Sequence, residues 1–442
     1  MAGHGQARAG GVGLTAMLLF VFIMLYLVLV LIRPQEYPGW PLAGVPLLPL
    51  ALVLALGVWL LSPRKRFDAP QYLLLLLFLV VTCLSVLLTG WSGGALQQFG
   101  NFAAIVVSFF LLANALDTRG RVRAAMAVFV LCASVLAVHG VDQAATGIGW
   151  TGATMVEDGR IQYLGIFGDP NDLGMLFVMC MPMAAYLGAR GGMMGLRRLF
   201  WWSLCLLLLY GVHLTHSRGA LLAVIAMAGT WVLVRRGVFA AGTLAGLALV
   251  GLLLMPSRVS EIDVQEESAM GRVEAWYEGM LMFQSSPVLG VGTGRFTEYH
   301  HLTAHNSLVL VLAENGIIGL TIWLAFVGYG FWMMARILRH DPGFVEGEEE
   351  QAWEWFEDWR IALALLASLV GFFTAAFFLS RSYIILLYLL AALVVAHFSG
   401  VRDRYPQLPA MQLGAHLVRW PVLAVATALG LFVVVKVLLA LG

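Results

Sequence analysis

The sequence predicts an all-helical, polytopic membrane protein, and three observations carry that prediction. Of the 442 residues, 61% are apolar, and 48 more are glycine. Only 12% are Asp, Glu, Lys or Arg, half the ~25% of soluble domains. The apolar residues gather in thirteen runs that reach or approach the ~20 residues a bilayer-crossing helix needs. The same composition excludes a disordered chain, a collagen-like repeat and a disulfide scaffold. A net charge of +1 excludes a bulk nucleic-acid binder, which needs a basic excess.

In chain order the runs cover 13–32, 41–61, 72–90, 98–116, 124–141, 171–189, 199–214, 219–234, 237–255, 314–335, 361–379, 383–399 and 421–441. Twelve to fourteen spans fit the pattern, within a single transmembrane domain over 1–442. The first run follows Arg8 and precedes no small-residue cleavage site, so it reads as a retained span. Cys83, Cys132, Cys180 and Cys205 all fall inside apolar runs and read as small buried residues, not as a metal cluster or disulfide framework.

Basic residues set the expected orientation. With the N-terminus in the cytoplasm, eighteen Arg and Lys fall in inner segments. Seven fall outside: Arg33, Arg160, Arg218, Arg258, Arg272, Arg295 and Arg381; Lys436 lies in the last span. That asymmetry predicts an inner or plasma membrane protein with its N-terminus in the cytoplasm, whose chemistry sits at the outer ends of the spans. A long outer loop is expected over 256–313, its SSPVLGVGTGRF stretch turning between short helices. The inner loop 337–360 interleaves eight acids with Trp353, Trp355, Phe356 and Trp359. It reads as an amphipathic helix lying on the inner interface, where indole rings settle.

Three outward clusters could carry chemistry. In GIFGDPNDLG, 165–174, Asp169 or Asn171 can cap the helix that follows, and Pro170 suits its first turn. The alternative is a polar cleft rim binding sugar hydroxyls; two carboxylates without a third ligand make a weak metal site. THSRGA, 215–220, is a short turn that leaves Arg218 beside the hydrocarbon with no acid near in sequence. Such an arginine either snorkels to the headgroups or clamps an anion, with His216 as a hydrogen-bonding neighbour. The third cluster supplies Arg272, Arg295, His300, His301, His305 and Asn306. His305 opens an apolar helical run ending at the Asn315-Gly316 stop signal, and a histidine there can serve as a general base near neutral pH. Guanidinium forks suit pyrophosphate oxygens, although 24 of the 26 basic residues are Arg, so position carries more than type. GVGTGR, 290–295, lacks the Lys-Ser/Thr ending of a nucleotide-binding loop and follows no strand.

In this order GIFGDPND, THSRGALLA, GRVEAW, SPVLGVGTGRF and AHNSLVLVLAENGIIG resemble the O-antigen ligase and polysaccharide polymerase superfamily, over about 165–335. The resemblance implies the C-type glycosyltransferase architecture and glycan transfer from an undecaprenyl-pyrophosphate carrier, without nucleotide sugar, metal or other cofactor. It implies Arg218 and Arg272 on the donor pyrophosphate, Arg295 as a further phosphate ligand, and His305 activating the acceptor hydroxyl. The acceptor, whether a growing polysaccharide, lipid A-core or a protein, is left open. A transporter or flippase of lipid-linked glycans is the rival; it would favour repeats and broken or ionisable helices near mid-membrane.

Overall fold

A computed structural model of the chain describes residues 3–156, 159–190, 195–254, 262–344 and 347–441, the side chains of 3–12, 249–254, 262–269 and 441 apart. Arg258 lies outside the described residues, as does the side chain of Arg8. The described chain is all-helical, with no β-strand. Its helices are α1 (Gly3–Ile32), α2 (Leu47–Leu61), α3 (Pro70–Leu87), α4 (Ser92–Ala115), α5 (Arg119–Thr146), α6 (Pro170–Gly188), α7 (Leu196–Leu214) and α8 (Arg218–Arg236). There follow α9 (Val238–Leu254), α10 (Ile262–Ser285), α11 (Phe296–Tyr299), α12 (Ser307–Arg339), α13 (Glu349–Ala376), α14 (Ile385–Arg404) and α15 (Arg419–Leu441).

All thirteen apolar runs fall on helices. Nine of these, α1, α3, α4, α5, α8, α12, α13, α14 and α15, are long and apolar enough by themselves to cross a membrane among the described residues. The protein is thus a polytopic membrane protein. The helix α14 sits at the centre, with 89% of its apolar window buried against 17% for α8 and 22% for α15. A helix that is apolar all round belongs in the interior, and α14 packs on α4, α5, α12 and α13.

The charges collect at the two ends of the bundle. At the end here called lower, Asp358 of α13 is fully buried and accepts paired bonds from Arg119 of α5 (2.8 and 2.9 Å) and Arg404 of α14 (2.8 and 3.1 Å). Beside it, Glu357 takes Arg190 at 3.0 Å and Arg360 at 2.8 Å. Buried carboxylates are tolerated only when paired in this way. The 337–360 segment therefore departs from the expected interfacial loop: from Glu349 onward it is the first part of α13. Three of its four aromatics make contacts within the bundle, while Trp353 is exposed. Trp355 meets Tyr405 edge-on, while Phe356 and Trp359 stack and take the guanidinium of Arg235.

The 256–313 segment also differs from an open loop, because α10 occupies much of it and packs on α12 and α15. Its Trp276 meets Phe377 at the top of α13. Beyond α10 the glycine-rich stretch dips back into the bundle. There α12 is broken at Gly316, whose φ of 61° and ψ of −163° belong to a region essentially only glycine enters. The backbone freed by the break finds partners in the loop: Val291 and Gly292 donate to Ala313 and Glu314, and Ile317 and Ile318 donate to Pro287 and Val288. Non-helical backbone within a membrane bundle survives only when it is satisfied by protein in this way. A Cβ on Gly290 or Gly316 would strike the opposing backbone at 2.2 or 2.4 Å. The stop signal at Asn315-Gly316 is thus a real break, but the chain resumes as helix to Arg339.

Candidate active site

At the upper end, the turns before α6, α8 and α12 converge with the α13–α14 connection. Each is shaped by a cap. Asp169 caps α6, its Oδ1 accepting from Asn171 N at 2.8 Å. Ser217 caps α8 through Ala220 N, so Arg218 is the first residue of that helix. Asn306 caps α12, its Oδ1 accepting from Leu308 N and Val309 N at 2.9 and 3.2 Å.

Two residues just ahead of these caps, His216 and His305, hold left-handed backbones with φ of 48° and 46°. Such conformations cost a non-glycine residue roughly 1–2 kcal/mol and gather at functional sites. Neither is required by sequence alone.

His305 is half-buried, and burial lowers its pKa below the ordinary value, helped by the charges of Arg272 and Arg381 and opposed by Asp169. Burial likewise lowers the pKa of Arg272, which also feels the like charges of Arg218 and Arg160. Arg160, Arg218, Arg272, Arg381, Asp169 and His305 therefore share one electrostatic neighbourhood. Among the described residues neither Arg218 nor Arg272 makes an ion pair with a carboxylate. Asn306 is fully buried and its Nδ2 donor has no partner.

Other expected site residues are spoken for within the protein. Arg295 pairs with Glu298 at 2.7 Å and stands outside the arginine cluster. Asn171 gives its amide to Asp169 at 2.9 Å and accepts from Arg160 at 3.0 Å. The two carboxylates of GIFGDPND hold a cation, but it is a side chain: Arg381 donates to both oxygens of Asp172 and to Asp169 at 3.2 Å. Among the described residues no three His, Cys, Asp or Glu converge as a metal site would require.

Sequence reading underrated two arginines here. Arg160 and Arg381 counted only among seven outer charges, since Arg160's contacts to Thr215 O and Asn171, and Arg381's to residues some 209 positions earlier, arise only on folding. A further feature opens beside the cap of α12. An almost wholly apolar cavity of about 280 Å³ runs between α12 and α13 from Ser307 and Leu308 past Trp323 and Phe377 to Phe331 and Phe373.

Compared with known families, residues 203–324 match the family described as O-antigen ligase. That stretch contains Arg218, Arg272, Arg295 and His305. Residues 12–191 match a family of unknown function, which takes in Arg160 and the GIFGDPND turn, whereas Arg381 falls in neither match. No curated protein matches the chain. The first match supports glycan transfer at the level of enzyme class, with a lipid-linked glycan and an acceptor as the general substrates. The 203–324 region is thus similar to the O-antigen ligase family, which supports the resemblance to the ligase/polymerase superfamily read from the motifs.

Proposed function

We propose that this protein transfers a glycan from an undecaprenyl-pyrophosphate carrier to an acceptor hydroxyl at the periplasmic face of the bacterial inner membrane. The observation that carries the reading is the pair of arginines without carboxylate partners, Arg218 and Arg272, beside His305. Cations gathered beside a membrane bundle are costly unless an anion joins them, and a pyrophosphate would supply that anion. The helix dipole at the start of α8 adds to its attraction.

In this mechanism Arg218 and Arg272 bind the donor pyrophosphate, and Arg160 extends the positive field. His305, kept neutral by its lowered pKa, takes the proton of the acceptor hydroxyl. The acceptor oxygen bonds to the anomeric carbon as the carbon–oxygen bond to phosphate breaks. The electron pair leaves with the pyrophosphate, where the arginines stabilise it, the term that usually dominates such catalysis. Direct displacement inverts the anomeric configuration. Asn306 Nδ2, buried without a partner, is placed to hold a substrate oxygen. The apolar cavity between α12 and α13 offers a course for the prenyl chain. The mechanism needs no metal, and Arg381 stands where Asp169 and Asp172 would otherwise hold one.

The broken α12 and its buried Glu314 are features a lipid-linked glycan transporter would share. Here the break is closed by loop backbone instead of lining a passage, which favours the enzyme. The test is reconstitution of the purified protein with a polyprenyl-pyrophosphate glycan and, in separate arms, a second lipid-linked glycan, lipid A-core or a protein acceptor. Transfer should occur with inversion, survive EDTA, and be lost in Arg218→Ala and His305→Ala. Retention of configuration, abolition by EDTA with rescue by Mg²⁺, or full activity in both variants would overturn the proposal.

A further inference from the structure

At the lower end, away from the arginine–histidine site, a second cavity of about 330 Å³ opens between α12 and α15. Its walls are aromatic: Phe331 and Trp332 on α12, and Trp420 at the start of α15. The Trp420 ring packs against Gly328, where a Cβ would come within 2.4 Å of it, so the glycine makes room for that wall. Tyr329 and His416 back Trp332, with ring centroids 5.9 and 4.5 Å away.

Two arginines complete the lining, Arg339 in the last turn of α12 and Arg419 at the start of α15. The Arg419 guanidinium sits over Trp332 at 4.6 Å. Most arginines facing inward at this end are paired: Arg119 and Arg404 with Asp358, Arg190 and Arg360 with Glu357, Arg402 with Asp68. Arg339 and Arg419 make no ion pair among the described residues, and no carboxylate lines the cavity. Just past the arginines, toward the middle of the bundle, the flank is apolar and open, with Val422 and Leu423 exposed on α15.

We propose that this cavity binds the headgroup of an anionic phospholipid from the surrounding leaflet. The phosphate lies between Arg339 and Arg419, and the acyl chains follow the apolar flank of α15. Charge sets the choice of ligand, because two unpaired cations select an anionic headgroup over a zwitterionic one. Position sets the source, because the cavity opens sideways between two helices of a membrane bundle, where lipid is the neighbour. Basic pockets between spans at a membrane interface recognise headgroups on this principle. The inference does not depend on the reaction proposed above.

The test uses the full-length protein in detergent, titrated with phosphatidylglycerol or with phosphatidylcholine of the same chains, and bound lipid counted by native mass spectrometry. Wild type should prefer phosphatidylglycerol by about tenfold or more, the effect expected of two arginines at a membrane surface. The Arg339→Ala/Arg419→Ala double variant should lose that preference. An Arg64→Ala/Arg236→Ala variant, which removes two positive charges from the same end, should keep it. Equal binding of the two lipids by wild type, an unchanged preference in the first variant, or equal loss in the second would overturn the proposal. So would full displacement of the lipid by inorganic phosphate, which would make this a site for free anions.

Discussion

Removing the carboxylate of Asp172 should destabilise the protein by about 3 kcal/mol, more than removing that of Asp169, although both hold the same arginine. The Asp172 side chain is 5% exposed and takes two bonds from Arg381, one of them at 2.7 Å. Breaking one side of such a buried pair costs ~3–5 kcal/mol, because the remaining charge is left desolvated. Asp169 still reaches Arg381 at 3.2 Å, which puts Asp172→Ala at the low end. Asp169 is 39% exposed, so its share of the ion contact is ~0–1 kcal/mol. Its cap on Asn171 N adds ~1 kcal/mol, for about 1–2 kcal/mol in all. The assay is denaturant unfolding in detergent micelles, with Arg381→Ala completing a double-mutant cycle against Asp172→Ala. The coupling energy should exceed ~1 kcal/mol, as for contacting residues that share bonds. Equal or reversed costs at the two aspartates, or a coupling near zero, would refute the reasoning.

His305→Asn should retain the fold, since asparagine also visits the left-handed region, yet transfer in the reconstituted assay should fall ~100- to 10,000-fold with the general base. The lowered pKa of His305 keeps it unprotonated at neutral pH, so the acid limb of kcat/KM should lie below the ordinary ~6.5. Arg272→Gln removes a charge that lowers the pKa, so that limb should move to higher pH; a downward move would count against the pairing. Gly316→Ala should cost more than ~3 kcal/mol, from a backbone region closed to alanine and a Cβ 2.4 Å from Val288, read as lost monodisperse protein or a lowered melting temperature. At the lower end, Asp358→Asn should cost ~3–5 kcal/mol, measured by unfolding, because it weakens four arginine bonds at once.

The helices were legible in the sequence because bilayer thickness imposes a length, and each of the thirteen apolar runs meets a helix. The interior of the long upper segment was not. α10 is too polar to register as a span, as EIDVQEESAMGR shows, and its helical state rests on packing against α12 and α15. The glycines of GVGTGR told only what the loop is not. Their positive φ values, and the close approach of Gly290 to Glu314, acquire a purpose once α12 is seen to be broken. Asp169 was readable as a cap from its place before Pro170, since capping is local. Its partner Arg381 was not, because ion pairs across the bundle leave no trace in spacing. Glu357 and Asp358 likewise looked like members of an acidic surface run, whereas both are buried, Asp358 among the arginines of α5 and α14 and Glu357 between Arg190 and Arg360.

The two ends of the bundle use arginine in opposite ways. At the lower end acids answer cations across three or four helices, and the network holds α5, α13 and α14 together. At the upper end the buried pair of Arg381 with Asp172 closes the α13–α14 connection onto α6. Among the described residues Arg218 and Arg272 receive no such partner, and the pKa of Arg272 is lowered first by burial and then by the like charges of Arg218 and Arg160. A fold that pairs buried charges elsewhere could have placed a carboxylate here. Doing so would have quenched the positive potential there, and in the proposed mechanism a neutralised arginine would stabilise a departing phosphate less. The unpaired state is therefore the informative one. On the proposed reading it marks where a ligand's anion would complete the electrostatics, beside a histidine whose left-handed backbone and lowered pKa fit the proposed role of base.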